Sequence, residues 1–84
     1  MDYYLITFSN THSAIAAQKQ LKNRLNFSVM PTLREISDSC GISLKIVNAS
    51  YDTIASEMNQ LDIGHSMYSI YQIHADGSIE KQAG

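Results

Sequence analysis

The feature that most constrains this chain is the order in which two periodicities follow one another along its 84 residues. Tyr3-Tyr4-Leu5-Ile6-Thr7-Phe8 is dense in aromatic and β-branched side chains, the composition of a strand buried on both faces. Ser9-Asn10-Thr11 then offers three helix-capping side chains in a row. Ala14, Ala17, Leu21 and Leu25 follow at helical spacing, with Ile15 beside them and Lys19, Lys22 and Arg24 on the other side. These predict an amphipathic helix over residues 11–24, with Asn26 as its stop. Phe27-Ser28-Val29-Met30 reads as a second strand, ended by Pro31, which cannot donate to a central ladder.

Ile42-Ser43-Leu44-Lys45-Ile46-Val47 alternates as a third strand. Ile42, Leu44 and Ile46 are expected in the core, and Ser43 and Lys45 in water. Asn48 or Ser50 caps a second helix whose apolar stripe is Tyr51, Ile54, Ala55, Met58 and Leu61. Asp52 sits in its first turn, where the dipole favours an anion, and Gly64 suits the position past its end. Ser66 to His74 reads as a fourth strand. Asp76-Gly77 is a hairpin signal, after which Ile79-Glu80-Lys81 pairs back briefly and the tail is loose.

The order β-α-β-β-α-β, with right-handed crossovers, predicts an α+β fold in a single domain. The expected form is the ferredoxin-like split βαβ sandwich, a four-stranded antiparallel sheet with both helices on one face. Charge bears on the partners. Six Lys and Arg against eight Asp and Glu leave a net charge of -2, too few cations for a phosphate-tracking face, so no nucleic acid is expected. Apolar runs are far shorter than the roughly 20 residues that span a bilayer, so no membrane is expected either. Met1-Asp2-Tyr3-Tyr4 lacks the basic start and apolar run of a signal peptide, so a cytoplasmic location is expected. A small core makes a homodimer a plausible source of further burial.

The candidate site is the loop Pro31-Thr32-Leu33-Arg34-Glu35-Ile36-Ser37-Asp38-Ser39-Cys40-Gly41, which holds the only Pro and the only Cys of the chain. In the expected topology it shares one edge with the turn carrying Thr11 and His12 and with the turn carrying His65, while His74 lies at the other end. A thiol reacts as its thiolate. Free Cys titrates at about 8.5, and a helix N-terminus or nearby cation lowers that value. Arg34, the start of the first helix and a protonated His are the available sources. Glu35 and Asp38 oppose them. Ser37 and Ser39 hydroxyls and loop amides could hold an anionic sulfur. The competing reading is a buried Cys40 that packs as a small hydrophobe. Likewise His12 and His65 suit exposed turns, Arg34 a solvated loop, and the two serines local turn bonds. A lone Cys forms no internal disulfide and no structural zinc site, and no cofactor is implied.

Pro31-x-x-Arg34-Glu35-Ile36-Ser37-x-Ser39-Cys40-Gly41 resembles the hallmark of the small sulfur/selenium carrier-like proteins. Tyr4-Leu5-Ile6-Thr7-Phe8-Ser9-x-Thr11-His12-x-Ala14 resembles that family's start. Asp38 stands where that pattern carries Ser, and a carboxylate there raises a thiol pKa. The resemblance implies that Cys40 is the functional residue, with Arg34, Ser37, Ser39, Gly41, Thr11, His12 and His65 around it. It implies a covalent carrier more than a stand-alone enzyme. Cys40 would take sulfur or selenium from a cysteine desulfurase-type donor and pass it to an acceptor enzyme. A lone thiol suits this, because a resolving thiol would collapse a persulfide into a disulfide. Two alternatives stay open: a non-catalytic module that binds a small ligand or a protein, and a metal or redox site built from Cys40, His12 and His65.

Overall fold

A computed structural model describes residues 2–36 and 41–83. Its elements are β1 (Tyr3–Phe8), α1 (Thr11–Leu21), β2 (Ser28–Pro31), β3 (Ile42–Ile46), α2 (Tyr51–Asn59), a 3₁₀ turn (His65–Met67), β4 (Tyr68–Ile73) and β5 (Ile79–Ala83). The five strands form one antiparallel sheet in the order β2-β3-β1-β4-β5. The fold is therefore α+β with two helices, as expected, and its first four strands are compatible with the split βαβ order. The sheet has five strands where four were expected. Gly77 explains the addition: at φ 91 it adopts a backbone that L side chains rarely take. The tight turn it permits returns Ile79 to Ile73 and Lys81 to Tyr71, so the expected brief pairing runs on to Ala83.

The apolar alternation fixes which face carries the helices. Ile6 and Phe8 of β1, Leu44 and Ile46 of β3, and Tyr68 and Ile70 of β4 share one core with Ala14, Ala17 and Leu21 of α1 and Ile54 and Met58 of α2. Cross-strand partners share a face, and Ile6 lies opposite both Leu44 and Ile70. Leu5 and Ile73 belong to the other face and lie outside this cluster, though both are buried. Central β1 is thus buried on both sides, which its aromatic and β-branched run anticipates.

Four local expectations are corrected. Helix α1 ends at Leu21, not at residue 24, because Asn23 takes a left-handed backbone at φ 72, a conformation Asn tolerates. The turn brings Leu25 and Phe27 back against the core. Ile15 is 45% exposed, since it lies a quarter-turn off the Ala14–Ala17–Leu21 stripe. Ser43 is buried rather than wet: it does face away from the helices, but its hydroxyl pairs with Thr32 at 2.6 Å. Gly64 does not close α2, which stops at Asn59. It precedes the 3₁₀ turn at an ordinary φ of -62, and β4 begins only at Tyr68.

Candidate functional site

The strand register gathers three connections at one end of the sheet. Pro31 faces Ile42, Thr7 faces Ser43, and Phe8 faces Tyr68. The loop after β2, the β1–α1 turn and the 3₁₀ turn before β4 therefore leave from the same edge, as the expected topology requires. Two of them are stitched together directly. The Ser9 amide donates to the Met67 carbonyl at 2.9 Å, and the Ser9 hydroxyl and Asn10 amide group reach the Met67 sulfur at 3.4 and 3.7 Å. Asn10 also caps α1, its Oδ1 accepting from the Ser13 amide at 2.7 Å. One asparagine thus sets where α1 starts and how it meets the third connection.

The base of the loop is closed by Thr32. Its amide donates to the Gly41 carbonyl at 3.1 Å, and its hydroxyl pairs with Ser43. A turn follows, with the Ile36 amide donating to the Leu33 carbonyl at 3.1 Å. Arg34 sits exposed in that turn, and Gly41 is exposed at the loop's return. Among the described residues, a Cβ on Gly41 would meet nothing within 4 Å. Thr11 and His12 open α1 and are exposed. His65 opens the 3₁₀ turn, also exposed, with its ring 5.9 Å from that of Tyr68. Burial, with Tyr51 adding to it, pushes the Tyr68 phenol pKa up. Cys40, Ser37 and Ser39 lie outside the described residues. Among the described residues, no three His, Cys, Asp or Glu side chains gather as metal ligands.

Sequence reasoning missed the hydroxyls at the loop base. Thr7 is wholly buried, lies opposite Ser43, and among the described residues its Oγ1 has no hydrogen-bond partner. A buried hydroxyl left unpaired costs about 1–3 kcal/mol. The signal was present as Thr7 and Ser43 at the same distance from their strand ends, but only the register shows them to be neighbours.

The other end of the sheet is built differently. His74 follows β4, and its Nδ1 lies 3.0 Å from Asp2 Oδ2, while Glu80 Oε1 approaches Nε2 at 3.2 Å. Asp2 also accepts from the Ala75 amide at 3.0 Å and from Gln72 at 3.1 Å. Those contacts, led by the Ala75 amide, hold the Asp2 carboxyl below its usual range. Desolvation works against a charged His74, but the two carboxylates outweigh it, and its pKa sits above the ordinary 6.5. Near the start of α2 a cavity of about 350 Å³ is lined by Arg24, Asn26, Asn48, Ser50 and Thr53 over Leu25, Ile46 and Ala49. It is remote from the loop, and Arg24 is already engaged by Gln60 at 3.0 Å and Glu57 at 3.4 Å.

Among the described residues, no helix is long and apolar enough to cross a membrane. The family model described as "Putative Se/S carrier protein-like" matches residues 3–69. No curated protein and no solved structure matches the chain.

Proposed function

Because this chain belongs to the Se/S carrier protein-like family, we propose that it carries sulfur or selenium covalently on Cys40 between a donor and an acceptor enzyme. The observation that carries this reading is the family match itself, which runs from β1 through the whole Cys40 loop into β4. The topology supports it in one respect: the loop base, the start of α1 and the His65 turn share one edge of the sheet.

The chemistry needs no external oxidant. The Cys40 thiolate attacks the terminal sulfur of a donor enzyme's cysteine persulfide. A new sulfur–sulfur bond forms at Cys40, the donor's own bond breaks, and the donor cysteine leaves as a thiolate. Delivery is the same exchange in reverse, with an acceptor nucleophile taking the terminal sulfur and Cys40 leaving as thiolate. Selenium would travel as the corresponding perselenide. The α1 start and Arg34 supply positive potential near this edge, a protonated His would add to it, and Glu35 and Asp38 oppose it. Ser37 and Ser39 hydroxyls and loop amides such as that of Gly41 would hold an anionic sulfur, with Thr11 beside them at the start of α1.

The donor is of the cysteine desulfurase type, and the reaction belongs in the cytoplasm, where thiols stay reduced. We read the strand order β2-β3-β1-β4 as the ferredoxin-like split βαβ arrangement with β5 appended, outside the family match. The test is intact mass after incubation with a cysteine desulfurase and cysteine. The chain should gain one sulfur atom, located on Cys40 and removed by dithiothreitol, and Cys40→Ser should gain none. An unchanged wild-type mass would contradict the proposal.

A further inference from the structure

The sheet face opposite the helices has a charge pattern the rest of the chain does not share. Register assigns its positions in three rows. Nearest the loop run Met30, Ser43, Thr7 and Ser69. Next come Ser28, Lys45, Leu5, Tyr71 and Lys81. Tyr3, Ile73 and Ile79 form the last. Two of the six cations of this net-negative chain stand here, and no Asp or Glu occupies a strand position on this face. Asp2 and Glu80 fall on the other side with Gln72 and His74. Lys45 Nζ lies 4.5 Å from the centre of the Tyr3 ring and Lys81 Nζ lies 6.0 Å from that of Tyr71. Among the described residues, neither lysine is in an ion pair. Between the lysines the accessible centre is the half-buried Tyr3 and Tyr71, which lie over the buried Leu5 and Ile73.

We propose that this face is the docking surface for the enzyme that loads the carrier, a protein presenting carboxylates around an apolar patch. Three strand spacings of about 4.8 Å set the two lysines about 14 Å apart across the sheet, so carboxylates on both sides of an apolar centre complement them. A second copy is the poorer occupant. Two such faces packed about a two-fold axis would bring four lysines together with no strand carboxylate from either. The first row makes docking and chemistry contiguous, because Ser43 in that row holds Thr32 at the base of the Cys40 loop. An enzyme seated on the face therefore reaches the loop edge.

The inference rests on the carrier reading, and the test separates the two. Cys40→Ser protein is mixed with a cysteine desulfurase and treated with a carbodiimide, which joins amines to carboxylates in direct contact. In parallel, sulfur transfer to wild-type, K45Q/K81Q and K45E/K81E proteins is followed against carrier concentration. Cross-links from Lys45 and Lys81 to desulfurase carboxylates are expected. So is a rise of about tenfold in half-saturating concentration for K45E/K81E, a smaller rise for K45Q/K81Q, and an unchanged rate at saturation. Loading of each variant by a small-molecule persulfide should match wild type, which shows the fold and thiol intact. Transfer without these cross-links, or with cross-links through Lys19 and Lys22 instead, would overturn the docking face and leave the carrier reading standing. The two cross-links without any sulfur gain by wild type would do the reverse. Cross-links between copies of the chain through Lys45 and Lys81 would assign the face to self-association and overturn the proposal.

Discussion

β4 has a histidine near each of its ends, and the two are treated in opposite ways. His74, just past the C-terminal end, is held between Asp2 and Glu80. His65, three residues before Tyr68, stands exposed on a 3₁₀ turn, and among the described residues a ring contact with Tyr68 is what engages it. The same contrast extends to the elements around them. At the His74 end, Asp2 takes three hydrogen bonds and Asp76 caps its own turn through Ser78 at 2.7 and 2.8 Å. At the loop end, Arg34 and His12 are exposed, and among the described residues neither is in an ion pair. Among the described residues, the chain pairs its charges where it pins a late strand and leaves Arg34 and His12 outside any ion pair at the other end.

The sharpest way to break this contrast is to remove one group from each end and follow sulfur. Cys40→Ser should abolish sulfur gain in the mass assay, whereas His74→Gln should leave it at the wild-type level. A comparable loss from His74→Gln would show that the far end is part of the chemistry.

The core beneath both ends sets the next largest effect. Ile6 is fully buried at the centre of β1, between Leu44 and Ile70. Ile6→Ala should destabilise by about 2–5 kcal/mol, a large share of the stability of so small a domain. Denaturant unfolding would measure it, and an effect below about 1 kcal/mol would contradict the assigned core.

The His74 clamp gives a pH dependence with a definite sign. Its pKa is raised on folding, so its stabilisation is full below about 6.5 and is lost as pH rises through the folded value. Asp2 is lowered, so its share is full above about 3.8 and is lost as pH falls through its folded value. Protection factors of the β5 amides, taken against the intrinsic exchange rate at each pH, should therefore be highest between those limits, and His74→Gln should flatten the alkaline side. Imidazole resonances would give the His74 titration directly, and a midpoint below 6.5 would sink the clamp. The smallest effects belong to single turns. Asn10→Ala at the loop end and Gly77→Ala at the other should each cost about 1 kcal/mol, for a lost cap and a left-handed backbone respectively.

The sequence was legible where one period dominates. Tyr3–Phe8 announced a central strand, and Ile42, Leu44 and Ile46 announced their face, because alternation leaves them no other register. Asn10 was one of three candidate caps and Ser50 one of two, and the structure selects them. The end of α1 was not, since Lys22 to Leu25 continue a helical pattern and only the tertiary fit of Leu25 and Phe27 favours the Asn23 turn. Ser43 was read as wet because a polar residue in an alternating strand ordinarily is, and its cover by Thr32 comes from across the β2–β3 loop, 11 positions away. The Asp2–His74 contact joins residues 72 positions apart, beyond any local signal. For the candidate site, the string around Cys40 named the candidates, and the register puts the three connections at one end of the sheet, as the expected topology had them. Cys40 itself lies outside the described residues, so the roles there rest on the sequence and the family.

The most direct test of the central claim, that a reactive thiolate at Cys40 does the work, is the pH profile of its alkylation in folded protein against a denatured control. Fast alkylation of the folded chain is expected, with an apparent pKa clearly below the ordinary value of about 8.5. A thiol that reacts only after unfolding would contradict it and make Cys40 a packing residue.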